Sequence, residues 1–246
     1  MNKVMEVKNV SKNLKGRKVS NNISFNLFEG DICGFIGPNG AGKTTMIRLI
    51  TGLISPNSGQ ILLNDIDVHR DRISALQNLG AIVESPIFFP YLTGRRLLKN
   101  LARLNPNMSK EEQRKKVSEV LEIVSLESRA DDKVSTYSLG MKQRLGIAQA
   151  LLNNPKIIIL DEPANGLDPM GMIELRNLIL KLNKEMKITF FISSHLLDEL
   201  QKICNRLIVI KEGSLVWSGN TRDLLAKSSK GESLEDVFID LMCGNF

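Results

Sequence analysis

Residues 37–44 read GPNGAGKT, between the apolar run ICGFIG at 32–37 and a stretch, 42–53, that carries Met46, Leu49, Ile50 and Leu53 at helical spacing. The eight residues match G-x-x-x-x-G-K-[ST] in full, and a strand before them and an amphipathic helix after them are the context that motif requires. Glycines let the backbone curl so that N–H groups, those of Gly40, Gly42 and Lys43 among them, point inward. The helix N-terminus adds the positive end of its dipole. Lys43 is then placed to reach β- and γ-phosphates, and the Thr44 hydroxyl to ligate Mg²⁺. The expected phosphate-binding set is Gly37, Pro38, Asn39, Gly40, Ala41, Gly42, Lys43, Thr44 and Thr45, with Lys43 also serving catalysis.

Outward from this loop, IIILDEP at 157–163 reads as a buried strand ending in two carboxylates. Asp161 is placed to hold Mg²⁺ largely through its water shell, which that ion gives up reluctantly. Glu162 is placed to orient or deprotonate an attacking water. With the glycine loop, this pair predicts a nucleoside triphosphatase. YSLGMKQRLG at 137–146 puts Ser138 where a helix would start and Gly140 just inside it, a second phosphate-binding device. His195, in ISSHLLDEL at 192–200, stands at the polar end of an apolar strand, whereas His69 has no such setting and reads as structural.

The rest of the chain limits the possibilities. Its 246 residues suit one large domain or two small lobes, with 42% hydrophobic and 24% charged residues, an ordinary globular balance. A net charge of +6 permits nucleic-acid or acidic-membrane contact but demands neither, and it is read first as a solvated basic surface. Cys33, Cys204 and Cys243 are far apart in apolar settings and form no C-x-x-C pair, so reduced thiols in a cytosolic protein are expected. The opening MNKVMEVKNV alternates charged and apolar residues, which predicts no signal peptide. No apolar run approaches the ~20 residues of a membrane helix, so any membrane role must pass through a partner.

In ISFNLFEGDICGFIG, Ile23, Phe25 and Leu27 share a face, and a polar turn at Glu29, Gly30 and Asp31 precedes a second strand. Between 95 and 126 the period is helical, with one stripe of Leu97, Leu101 and Leu104 and another of Val117, Val120, Leu121 and Val124. Ser109 and Glu112 form a capping-box pattern. This region, about 86–150, reads as a helical subdomain inserted into an α/β core. KIIIL and ITFFIS are continuous apolar strands of a parallel sheet, and RLIVI-KEG-SLVW is a hairpin. One domain over 1–225 is expected, followed by a helical tail, 226–246, with Leu234, Val237, Phe238, Leu241 and Met242 on one docked face.

From Met5 to about Gly219 the sequence resembles the ATP-binding cassette (ABC) of transporters. YSLGMKQ stands at the signature, ANGLD, with Asp168, at the D-loop, and His195 at the switch histidine, all in the family's order. The resemblance implies an α/β P-loop (RecA-like) core with an N-terminal antiparallel β region. It implies ATP and Mg²⁺ as ligands, Glu162 as catalytic base and His195 as γ-phosphate sensor. It further implies a head-to-tail dimer of cassettes on ATP binding, in which Ser138, Leu139, Gly140, Met141, Lys142 and Gln143 face the other chain's nucleotide. The implied partner is a membrane-spanning permease, with the cassette peripheral at the cytoplasmic face of the cell membrane and neither inserted in it nor bound to nucleic acid. Three departures stand out: Leu14, with Val19 nearby, occupies the place of an adenine-stacking aromatic, the signature keeps Ser and one Gly, and Ala164 replaces a common Thr.

A fourth departure is Glu84 in GAIVESPIFF, 80–89, where such cassettes carry Gln at a strand end. Charges ~4 Å apart interact by about 4 kcal/mol at an effective dielectric near 20, so Glu84 is expected to ligate Mg²⁺ and relay its state to the next segment. Val-Glu-Ser-Pro here also resembles a narrower group, the exporter ATPases of bacitracin and lantibiotic self-protection. PIFFPYLTGRR, 86–96, is read either as helical-subdomain core or as a groove for a short helix of the membrane partner. The rival function is an ABC ATPase acting on ribosomes or DNA without a membrane partner. A GTPase is disfavoured because NKEM, 183–186, lacks the Asp of a guanine-reading motif.

Overall fold

The computed structural model describes residues 2–226 and 233–244. Two sheets organise it. A four-stranded antiparallel sheet runs in the order β2 (Arg17–Phe28), β1 (Lys3–Leu14), β4 (Ser58–Leu63), β5 (Ile66–Asp67). A six-stranded sheet runs in the order β10 (Ser214–Asn220), β9 (Arg206–Lys211), β3 (Ile32–Ile36), β8 (Thr189–Ser193), β7 (Ile157–Asp161), β6 (Leu79–Ile82). Its pairs are parallel except for the β9–β10 hairpin at one edge. The expected α/β core with an N-terminal antiparallel region is therefore present.

β3, β7 and β8 are buried at every position, as strands covered on both faces must be. The two-residue strand period divides β7 between two hydrophobic cores. Ile157 and Ile159 pack with the antiparallel sheet and helix α1 (Lys43–Ile50), where Phe25, Phe35 and Phe191 cluster at centroid distances of 5.0–6.0 Å. Ile158 and Leu160 pack with the helices of the opposite layer. That layer holds α3 (Gly94–Ala102), α4 (Lys110–Ile123), α5 (Leu139–Leu151) and α6 (Pro169–Met186), whereas the short α2 (Arg72–Leu76) lies beside the antiparallel sheet. Side chains fix the helix starts: Thr93 caps α3, Ser109 and Glu112 close a capping box on α4, Ser138 caps α5, and Asp168 caps α6 ahead of Pro169.

α7 (Leu197–Ile203), α8 (Thr221–Leu225) and α9 (Leu234–Cys243) close one end. Leu234, Val237 and Leu241 of α9 are buried, and the Leu234 N–H donates to Gln201 Oε1 at 2.9 Å. The remainder of the expected tail, residues 227–232 and 245–246, lies outside the described residues. Two expected core positions are not core: α1 stops at Ile50 and leaves Leu53 exposed in the following turn, and Leu104 is exposed beyond the end of α3. Cys33 and Cys204 are buried, but Cys243 is exposed on the outer side of α9.

Candidate active site

The C-terminal ends of β3, β7 and β8 open into a cavity of about 530 Å³ lined by Val19, Asn39, Gly40, Gly42, Lys43, Thr44, Thr45, Glu162, Asn165 and His195. A crevice at the carboxyl ends of parallel strands is where such sheets take ligands. The loop after β3 needs its glycines. Gly42 has φ +105°, and a Cβ there would lie 2.4 Å from the Val19 carbonyl oxygen. A Cβ on Gly37 would lie 2.4 Å from the Ile210 carbonyl oxygen. No side chain caps the N-terminus of α1, so its first N–H groups face the cavity, a seat for an anion. Pro38 and Ala41 contribute backbone to the loop; Ala41 itself is buried.

Lys43 is only 7% exposed, and its ammonium donates to the Gly37 carbonyl at 2.7 Å and lies 3.8 Å from Glu162 Oε1. Glu162 has φ +49°, a left-handed conformation unusual for a residue with a side chain. Its N–H donates to both the carbonyl (3.1 Å) and the Oγ (3.0 Å) of Ser193. Its Oε2 lies 2.7 Å from His195 Nδ1 and accepts a longer bond from the His195 N–H at 3.3 Å. Asp161 is 4% exposed and accepts from Ser193 Oγ at 2.5 Å. One buried hydroxyl thus ties together both acidic residues at the end of β7. Ser193 was not picked out from the sequence; its signal was the polar end of ITFFIS, directly across the sheet from Asp161.

A cationic lysine, an open helix N-terminus and converging N–H groups fit a polyphosphate. Among the described residues no three His, Cys, Asp or Glu side chains come together as a metal cluster. Mg²⁺ bound with a nucleotide takes one or two protein ligands and completes its shell with phosphate oxygens and water, so the Thr44 hydroxyl and the Asp161 carboxylate are a suitable donor set.

Two expected site residues stand elsewhere. Glu84 is directed away from the cavity; it has φ +65°, its side chain is 59% exposed, and its carboxylate pairs with the Arg48 guanidinium on α1. Arg48 lies one helical turn beyond Thr44, and its charge, invisible to strand-end reasoning, holds the Glu84 carboxylate in an ion pair outside the cavity lining. Leu14 ends β1 opposite Arg17, partly exposed and outside the cavity wall, whereas Val19 is within it. Ser138, Leu139, Gly140, Met141, Lys142 and Gln143 gather at the start of α5, apart from the cavity residues of the same chain. There Ser138 Oγ accepts from the Met141 N–H at 3.2 Å, Leu139 is exposed, and the buried Gln143 Oε1 has no hydrogen-bond partner among the described residues. Asp168 accepts from the Gly171 N–H at 2.8 Å. Residues 81–83 and 85–88, with Gly146 and Gln149, line a second hollow of about 290 Å³. Beside it Ile87 is 95% exposed, and Phe89 and Tyr91, also exposed, pair at 5.7 Å.

Residues 20–165 match the family described as "ABC transporter". The uncharacterized ABC transporter ATP-binding protein YhcH of Bacillus subtilis (strain 168) is 44% identical over 223 residues, 91% of this chain and 72% of that protein. The bacitracin transport ATP-binding protein BcrA of Bacillus licheniformis is 44% identical over 216 residues, 88% of this chain and 69% of that protein. The solved dimeric, post-hydrolysis state of the ATP-binding cassette MJ0796, bound to ADP and Pi, shares the fold with a TM-score of 0.78 and 29% identity, covering 88% of this chain and 98% of that one. The phosphate cradle on β3, the two carboxylates on β7 and these likenesses agree: the chain belongs to the ABC transporter family and is the nucleotide-binding, ATP-hydrolysing subunit of a transporter.

Proposed function

We propose that the chain energises export of a peptide antibiotic of the bacitracin or lantibiotic type through a separate membrane-spanning permease, from the cytoplasmic face of the membrane. The observation that carries this reading is the 44% identity to a bacitracin transport ATP-binding protein across 88% of the chain. No helix of the described residues is long and apolar enough to cross a membrane, and this reading assigns the transport path to the permease. The exposed Ile87, Phe89 and Tyr91 beside the hollow at 81–83 and 85–88 supply apolar anchors for a short helix of that permease.

Within the cavity, Lys43 and the N–H groups of residues 40–44 neutralise the β- and γ-phosphates of ATP. Thr44 and Asp161 hold Mg²⁺, which when bound supplies positive charge to the phosphate oxygens. Glu162 orients and deprotonates the attacking water, and His195, within 2.7 Å of its carboxylate, fixes its direction and senses the γ-phosphate. The cluster 138–143 closes on the nucleotide of a second identical cassette, which places the α5 N-terminus, with its Ser138 cap, opposite a phosphate.

Deleting the gene in its native host tests the reading. Sensitivity to bacitracin or a lantibiotic should rise and be restored by the wild-type chain but not by Glu162→Gln. Unchanged sensitivity to every such peptide would remove the exporter assignment.

A further inference from the structure

The surplus of positive charge is not spread evenly over the chain. Residues 85–110 hold five basic residues, Arg95, Arg96, Lys99, Arg103 and Lys110, and no Asp or Glu. The other 220 residues hold 28 of the 33 Lys and Arg against all 27 Asp and Glu, so nearly all of the net +6 lies in this one segment. We propose that the outer face of α3 rests on the headgroups of anionic phospholipids. This rests on the reading that the chain works at the cytoplasmic face of a membrane, beside a permease.

Three observations carry the assignment. Leu97, Leu98 and Ala102 of α3 are buried, and Arg96, Lys99, Asn100 and Arg103, spaced i, i+3, i+4 and i+7, form the opposite face. Among the described residues Arg96, Lys99 and Arg103 make no ion pair, whereas their neighbour Arg95 is held by Asp131. Second, Leu104, 77% exposed, follows Arg103 directly at the helix end, so an apolar side chain accompanies the cations. A leucine beside basic residues fits the headgroup layer of a bilayer, which takes both, and not the phosphate backbone of a nucleic acid. Third, Thr93, two residues after Tyr91, caps α3 by accepting from the Arg96 N–H at 3.2 Å, so the basic face begins within one turn of the proposed permease anchors. A permease is embedded in the bilayer, and a helix next to its docking point lies close to the headgroups.

Each Lys or Arg at an anionic surface contributes about fivefold in partition. Three such charges with one leucine bind reversibly, since stable anchoring takes stronger signals. Their role is to orient a chain that the permease already holds.

Co-sedimentation of the purified full chain with vesicles tests this. The wild type should bind vesicles of equal parts phosphatidylcholine and phosphatidylglycerol, release from them at high salt, and ignore phosphatidylcholine alone. Arg96→Ala, Lys99→Ala and Arg103→Ala should each weaken the partition about fivefold and together abolish it, with the ATPase unchanged. Arg96→Lys should bind as the wild type does, because headgroups read charge and not the guanidinium fork. Equal binding to both kinds of vesicle, or full binding by the triple variant, overturns the assignment. Binding to duplex RNA that the triple variant loses, with none to the anionic vesicles, gives the surface to nucleic acid and overturns it too. The gene deletion separates the two levels. If the deletion raises antibiotic sensitivity while the wild-type chain ignores anionic vesicles, only the lipid contact fails. If the chain binds those vesicles through α3 and the deletion changes nothing, the lipid surface stands and the exporter reading fails.

Discussion

Replacing Ser193 by alanine removes one hydroxyl and, with it, the link between Asp161 and Glu162. The Asp161 carboxylate, 4% exposed, accepts from that hydroxyl at 2.5 Å, and no other hydrogen bond to it is present among the described residues. A hydrogen bond to a charged group contributes about 1.5–3 kcal/mol. The Glu162 N–H would keep its second acceptor, the Ser193 carbonyl at 3.1 Å, so no buried donor is orphaned and the loss falls on Asp161. We expect a destabilisation of about 2 kcal/mol, read from the urea midpoint at constant slope. In a chain of this size that corresponds to a fall in Tm of roughly 4–8 °C. The variant should also need more Mg²⁺ for half-maximal ATPase, because an unanchored Asp161 no longer faces the metal position. A loss below about 0.5 kcal/mol, the range of ordinary surface substitutions, together with unchanged Mg²⁺ activation, would refute the idea that this hydroxyl aims the carboxylate.

With Glu84 engaged by Arg48, Glu84→Ala should leave the Mg²⁺ requirement of the ATPase unaltered and stability within about 1 kcal/mol, the scale of exposed ion pairs; a raised Mg²⁺ requirement would put Glu84 at the metal after all. Asp31 accepts from Arg206 Nε at 2.7 Å, Asn205 Nδ2 at 2.9 Å and the Phe28 N–H at 3.0 Å, and Asp31→Ala should cost about 3–5 kcal/mol by leaving a largely buried guanidinium unpaired. A urea midpoint near that of the wild type would contradict this. Burial pushes the Cys33 and Cys204 thiols well above their ordinary range, whereas Cys243 is exposed. Because the thiolate is the reactive form, a maleimide at pH 8 to 9 should modify Cys243 alone in the folded chain. The same shifts make folding lose stability as pH rises above the ordinary thiol value of about 8.5, where the unfolded chain releases these protons first. Rapid labelling of Cys33 or Cys204 would show their burial to be wrong.

Motifs whose chemistry is carried by the backbone were legible from the sequence. Strands β3, β7 and β8 announced themselves by continuous apolar runs, and the Ser109 capping box by its spacing. The loop at 37–44 could be read because glycine is demanded by close approach of Val19 and Ile210 carbonyls, a constraint written directly in residue type. Glu84 could not be placed, because its direction depends on Arg48, 36 residues away in the chain. Ser193 escaped for a similar reason: its partners lie on a neighbouring strand that only the register of β7 with β8 brings opposite. Leu53 and Leu104 had the right period but sit past their helix ends, where period no longer reports burial.

Because β7 alternates its side chains between two separate cores, the strand that ends in Asp161, with Glu162 next in the chain, is clamped from above and below. Neither core can relax without dragging the other, so this strand is mechanically stiff and the carboxylates ride on the sheet as fixed points. Under the proposed docking, a push at the exposed Ile87, Phe89 and Tyr91 enters the connection from β6 to α3, residues 83–93, whose single left-handed residue, Glu84, gives the chain a bend between β6 and those side chains. Stiffness in the strand and compliance in this connection divide the molecule into an anvil and a lever.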